Sequence, residues 1–171
     1  MSNIVFSILL ICCTSSFKSN ATVDIASVRS MFQQAASDEV ACKKMIRVLA
    51  PYDEKKPLLL GYKGSGTMIM AKHVFSPFSK LSYFKKGKQM LESAINTDDK
   101  NFELRFLRFT AQTNIPSFLG YDSDIQKDKE FILNHFLQIK DTGLKEFVLP
   151  ILIKSKYLNN IEKQQLNNEL R

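Results

Sequence analysis

The chain has 171 residues, 44% of them hydrophobic, which is enough for one domain with its own core. Six glycines and five prolines are too few for a fibrous or disordered chain. The net charge of +7 favours acidic partners, such as nucleic acid, an anionic membrane surface or an acidic polysaccharide.

The first segment stands apart from the rest. Residues 3–13, "NIVFSILLICC", form an apolar run with the length of a signal h-region, too short to span a bilayer as an ordinary helix. Small residues at Ser19 and Ala21 flank Asn20 and suit cleavage after 21, so residues 1–21 are expected to be a signal peptide. The alternatives are a lipoprotein signal acylated at Cys12 or Cys13, and a buried N-terminal helix of a cytosolic protein. Export to the periplasm or cell envelope is the expected fate, with membrane attachment only if the chain is lipidated. Without its first 21 residues the chain keeps a single cysteine, Cys42, and has no intramolecular disulfide to rely on.

Residues 22–171 read as one helical domain. Val28, Met31, Phe32 and Ala35 mark one apolar face at i, i+3, i+4, i+7, and Cys42, Met45, Ile46 and Leu49 mark the next. Cys42 on that stripe reads as a small buried hydrophobe. Asp38 and Glu39 open the second helix, where negative charge suits the dipole, and Pro51 ends it. Pro57 suits the first turn of a third helix running to about residue 74. That helix contains "GYKGSGT", in which Gly61, Gly64, Ser65 and Met68 make a stripe of small residues for close helix approach. A phosphate-binding loop is not expected, because Gly66 is followed directly by Thr67 and the only lysine, Lys63, precedes the last two glycines. "SPFSK" breaks the chain before a fourth helix over 81–96. A fifth covers 101–113, and Ser123 with Gln126 predicts a capping box opening a sixth. A seventh spans 144–157, bent or interrupted at Pro150, with a polar tail beyond.

"GKQMLESAINTDDKN" resembles the second helix of a tetratricopeptide repeat at Gly87, Leu91 and Ala94, with Asp99 where that family has proline. Leu60-Gly61 resembles the family's Leu-Gly pair. The resemblance covers residues 57–113 and implies antiparallel helical hairpins stacked in an array, six to seven helices in all. It also implies a protein-interaction or scaffold role. "PLLLGYKGSGTMIMAKH", "KGKQMLESAI" and "ELRFLRFTAQTNIPSFLGY" further resemble segments of uncharacterised exported proteins of Bacteroidota.

The fifth helix carries the candidate site. Asn101, Arg105, Arg108 and Gln112 form its one polar stripe, and apolar residues cover the rest, so the helix is central. Its arginines must pair internally, with Glu92, Glu103 or an aspartate of "YDSD", or face a groove, since an unpaired buried charge is very costly. In the groove reading they grip an acidic or extended protein segment by bidentate forks, and the binding set is Arg105, Arg108, Gln112, Lys63, Tyr62 and Tyr121. Between Lys55 and Lys88 the chain has eight lysines and no acid, which supports the alternative of a basic surface for nucleic acid or an anionic polymer. Nucleic acid is the less favoured partner. "DSDIQKDKE" fails as a calcium loop at Lys127 and Leu133. His73 and His135 lack metal-ligand spacing. No metal, cofactor or catalytic residue is assigned, and an enzyme of unknown type remains the third reading.

Overall fold

The structure is a computed structural model and describes residues 23–168. The expected signal segment 1–21, with Cys12 and Cys13, lies outside the described residues. Eight α-helices and two 3-10 turns make up the described chain, which holds no strand. The helices are α1 (Ile25–Ala35), α2 (Glu39–Val48), α3 (Pro57–His73), α4 (Pro77–Thr97), α5 (Phe102–Asn114), α6 (Ile125–His135), α7 (Thr142–Lys154) and α8 (Asn160–Asn168).

Local chemistry explains most of the helix starts. Asp24 accepts from the backbone N–H groups of Ala26 and Ser27, and Asp38 from those of Val40 and Ala41. Asn101 does the same for Glu103 and Leu104, and Asp141 for Leu144. Each supplies the acceptor that the free N–H groups of a first turn need. Pro57 and Pro77 stand in first turns, where a missing N–H costs nothing.

Three expectations need correction. The fourth helix starts at Pro77, not near 81, because Ser76 has extended backbone and caps it, its Oγ accepting from the Ser79 N–H at 3.5 Å. The capping box at Ser123 and Gln126 does not form. Asp124 occupies the cap position with φ −103° and ψ 3°, outside the extended region a cap requires, and makes no capping bond. Ser123 donates to Asp124 and Gln126 to Glu130 instead. The seventh helix is continuous through Pro150 and ends at Lys154. Pro150 has no N–H to give the Glu146 carbonyl, and both residues lie on the exposed side. The polar tail is the eighth helix.

Neighbouring helices pack as hairpins, α1 with α2, α3 with α4, α5 with α6 and α7 with α8, while α3 also meets α1, α2 and α5. The glycine stripe explains how α3 can be central. A Cβ on Gly64 would lie 2.7 Å from the Gly87 carbonyl oxygen and 2.8 Å from the Leu91 nitrogen of α4. A Cβ on Gly87 would lie 2.5 Å from the Gly64 carbonyl oxygen. The two backbones therefore touch at Gly64 and Gly87, where only glycine fits. Gly61 faces Leu104 of α5, and Gly66 faces Met45 of α2. The core is one continuous apolar cluster drawn from all eight helices. At its centre Phe32 meets Tyr62 and Phe147 edge to face, and Phe106 meets Phe147 at a centroid distance of 5.6 Å.

Candidate functional site: two buried ion networks and an apolar cleft

Arg105 and Arg108 are each only 6% exposed, and both converge on Asp128 of α6, which has no exposed surface. Arg105 donates from Nε to Asp128 Oδ1. Arg108 holds Asp128 with Nε at 2.6 Å from Oδ2 and Nη2 at 2.9 Å from Oδ1, a bidentate fork. Its Nη1 reaches Glu92 of α4 at 3.1 Å, and Nη2 lies 3.6 Å from Asp124. Tyr121 donates its hydroxyl to the same Glu92, and the Phe131 ring lies under the Arg105 guanidinium at 4.9 Å. Burial opposes the charge on Arg108, but the Asp128 hydrogen bonds and charge outweigh it and hold its pKa above the ordinary value. Burial, with the hydrogen bond to Glu92, pushes the Tyr121 phenol well above its usual range.

The polar stripe of α5 is therefore an internal seam between α4, α5 and α6, and its arginines do not line a groove. Of the partners considered from sequence, Glu92 and Asp124 are present, whereas Glu103 faces elsewhere. Asp128, the central acceptor, was missed, although the helical spacing of Asp124 and Asp128 puts both on one face of the segment. Gln112, next on the stripe, is buried, and neither its amide nitrogen nor its amide oxygen has a hydrogen-bond partner.

A second network occupies another face of the same helix. Tyr62 of α3 is fully buried and donates to Glu103 Oε1. Arg29 of α1 grips both oxygens of Glu103, each at 2.8 Å, and reaches Asp141 Oδ2 at 2.8 Å with its other amine. The Glu103 hydrogen bonds raise the pKa of Arg29 despite its burial. Burial, then the Glu103 charge, raises that of Tyr62. Nothing in the local sequence points to Arg29, which lies 74 positions from its partner.

Lys63 belongs to neither network. Its ammonium donates to the carbonyls of Ala50 at 2.8 Å and Tyr52 at 3.1 Å, closing the turn after α2. Five of the six residues expected to form one binding set are thus divided among two networks and a turn, and Gln112 is buried in neither.

The open space lies on a different side of α5. A cleft of about 1050 Å³ runs between α1, α3, α4, α5 and α7. Its walls include Phe32, Met68, Ile69, Phe84, Leu107, Ala111 and Ile151, with Leu81 and Phe118 at the edge. Among the described residues, three lysines, Lys72, Lys80 and Lys154, are the only charged groups lining it. Two buried hydroxyls in the wall, Ser65 Oγ and Thr110 Oγ1, have no hydrogen-bond partner. This volume is at the upper end of the range for ligand clefts, roughly 300–1,000 Å³. No feature of the sequence announced it, since its walls come from five helices.

Cys42 is buried with its thiol 3.3 Å from the Gly66 carbonyl oxygen, and burial pushes its pKa up to about 11. It is a packing residue. His73 Nε2 lies 2.8 Å from the Ala35 carbonyl oxygen, and His135 Nδ1 lies 2.8 Å from that of Phe131. Among the described residues no group of three or more His, Cys, Asp or Glu side chains is placed to hold a metal ion. Comparison of the chain with protein-family models, curated proteins and solved structures finds no match.

Proposed function

We propose that this protein is a non-enzymatic binding module that holds an apolar segment of a partner protein in the cleft between α1, α3, α4, α5 and α7. The observation that carries the reading is the cleft, an apolar groove large enough for the side chains of an amphipathic helix. Lys72, Lys80 and Lys154 with no acid beside them favour a segment flanked by acidic residues. The Ser65 and Thr110 hydroxyls would pair with polar atoms of that segment. This moves recognition from the arginine stripe of α5 to the face that carries Leu107, Thr110 and Ala111. Export to the periplasm or cell envelope belongs to the same proposal and rests on the apolar run at 3–13.

The test is selection from a displayed library of amphipathic helical peptides with acidic, neutral or basic flanks. Enriched peptides are then titrated against the wild type and an Ala111→Trp variant, which places an indole at the α5 wall of the cleft. We expect acidic-flanked peptides that still bind in about 0.5 M salt and lose affinity at least tenfold in the variant, with its melting temperature unchanged. Binding indifferent to Ala111→Trp would sink the cleft reading. Binding that collapses between about 50 and 200 mM salt would point instead to a lysine surface for anionic polymers. Two lysines of that surface are already engaged, Lys63 with backbone carbonyls and Lys88 over the Tyr121 ring at 4.7 Å.

A further inference from the structure

The turn between α3 and α4 presents two phenylalanines to solvent. Phe75 is fully exposed and Phe78 is 86% exposed, on either side of Pro77. A solvated phenylalanine of this kind is unusual, because burying the ring is strongly favourable. The turn is well fixed. His73 is hydrogen-bonded to Ala35 of α1, and the Ser76 carbonyl accepts from the Lys80 N–H at 2.9 Å. The aromatic pair is therefore held outward by a braced hairpin end.

Its surroundings are basic. Lys72 and Lys80 flank the pair, and both are exposed. Lys85 and Lys86 follow on α4, also exposed, with Lys85 two turns beyond Phe78 on the same face. Between Glu54 and Glu92 the sequence has no acidic residue. Glu39 of α2 is paired with Lys43 at 2.6 Å.

We infer that the α3–α4 turn docks on an anionic lipid surface, with Phe75 and Phe78 entering the interfacial region and Lys72, Lys80, Lys85 and Lys86 facing the headgroups. Isolated apolar tips set among lysines suit a bilayer interface, which accepts each ring separately and concentrates positive charge. A protein hot spot instead gathers its aromatic anchors in packed pockets, whereas Phe75 is fully exposed and Phe78 nearly so. No described helix is long and apolar enough to cross a membrane. The two aromatic tips lie outside the cleft, whose walls include neither Phe75 nor Phe78, while Lys72 and Lys80 border both surfaces.

The chain has no tryptophan, so a Phe78→Trp substitution in the full chain gives a reporter confined to the turn. Its emission is followed on vesicles of phosphatidylglycerol mixed with phosphatidylcholine and on phosphatidylcholine alone, with brominated lipid as a depth-sensitive quencher. The expected result is a blue shift and quenching on the anionic vesicles only. Adding Phe75→Ser weakens the partition about tenfold. Adding Lys72→Gln or Lys80→Gln weakens it about fivefold each. These positions are exposed, so circular dichroism is expected to show unchanged folding in every variant. An unshifted, unquenched reporter on anionic vesicles overturns the inference, even if the chain floats with them through another segment. Equal insertion into neutral vesicles overturns the assigned role of the lysines.

Discussion

Replacing Gly64 by alanine tests the packing at the centre of the fold. The added methyl would sit 2.7 Å from the Gly87 carbonyl oxygen and 2.8 Å from the Leu91 nitrogen, both backbone atoms of α4. Backbone cannot turn aside as a side chain can, so α3 and α4 must separate along their shared length. Overpacking of this kind costs about 1–3 kcal/mol or more. Alanine returns about 0.8–1 kcal/mol of helix propensity. The net loss is up to about 2 kcal/mol, and for a domain of this size that lowers the melting temperature by up to roughly 8 °C. Gly66→Ala is the control. Its methyl comes tightest against the Met45 Sδ and Cε atoms, at 3.3 and 3.4 Å, with Ile46 Cγ1 at an ordinary 3.6 Å, and a thioether gives way easily. That variant is expected to be neutral or to gain up to about 1 kcal/mol. Thermal and urea melts followed by far-ultraviolet circular dichroism compare the two. If Gly64→Ala melts with or above Gly66→Ala, the close backbone crossing is wrong.

Other outcomes follow from the buried groups. Asp128→Asn removes the one charge shared by two buried arginines and is expected to cost about 3–5 kcal/mol in urea unfolding, whereas Glu39→Gln, at an exposed pair, is expected to leave the urea midpoint nearly unchanged. The Cys42 thiol, with its pKa at about 11, is expected to resist a disulfide reagent at pH 8 in the native protein and to react at once in denaturant. Two of the five tyrosines, Tyr62 and Tyr121, have raised pKa values in the folded state. Their contribution to stability is complete below the unfolded phenol pKa of about 10 and is lost as pH rises above it. Absorbance at the phenolate band is expected to show two tyrosines titrating only together with unfolding. If all five ionise while the helical signal is intact, the buried Tyr62–Glu103 and Tyr121–Glu92 bonds are refuted.

Helix content was legible because it depends on neighbours a few residues apart. The i, i+3, i+4 stripes of α1 and α2, Asp38 before α2 and Pro57 in the first turn of α3 act over one or two turns. The all-helical class and the close-approach role of the glycines followed from them. Where local signals competed, the outcome lay elsewhere. "SPFSK" reads equally as a break and as a start, and Ser76 makes it both. Ser123 and Gln126 match a capping pattern, but the backbone at Asp124 is not extended and the pattern goes unused.

The roles of the charged side chains could not be read in this way. Periodicity showed that Arg105 and Arg108 share a stripe on a nearly apolar helix and that such charges need partners or a groove. It did not show which, because the deciding acceptor, Asp128, comes from another helix. Arg29 and Glu103 meet across 74 positions, and the cleft exists only where five helices leave a gap. The exposure of Phe75 and Phe78 is likewise invisible in a sequence that places six other phenylalanines in the core. The sequence by itself determined the all-helical class and the approximate extent of most helices, since these depend on short-range backbone geometry and on apolar stripes a few residues apart. Only the tertiary structure decided which buried charge meets which and which surfaces stay open, because both depend on distances between segments far apart in the chain.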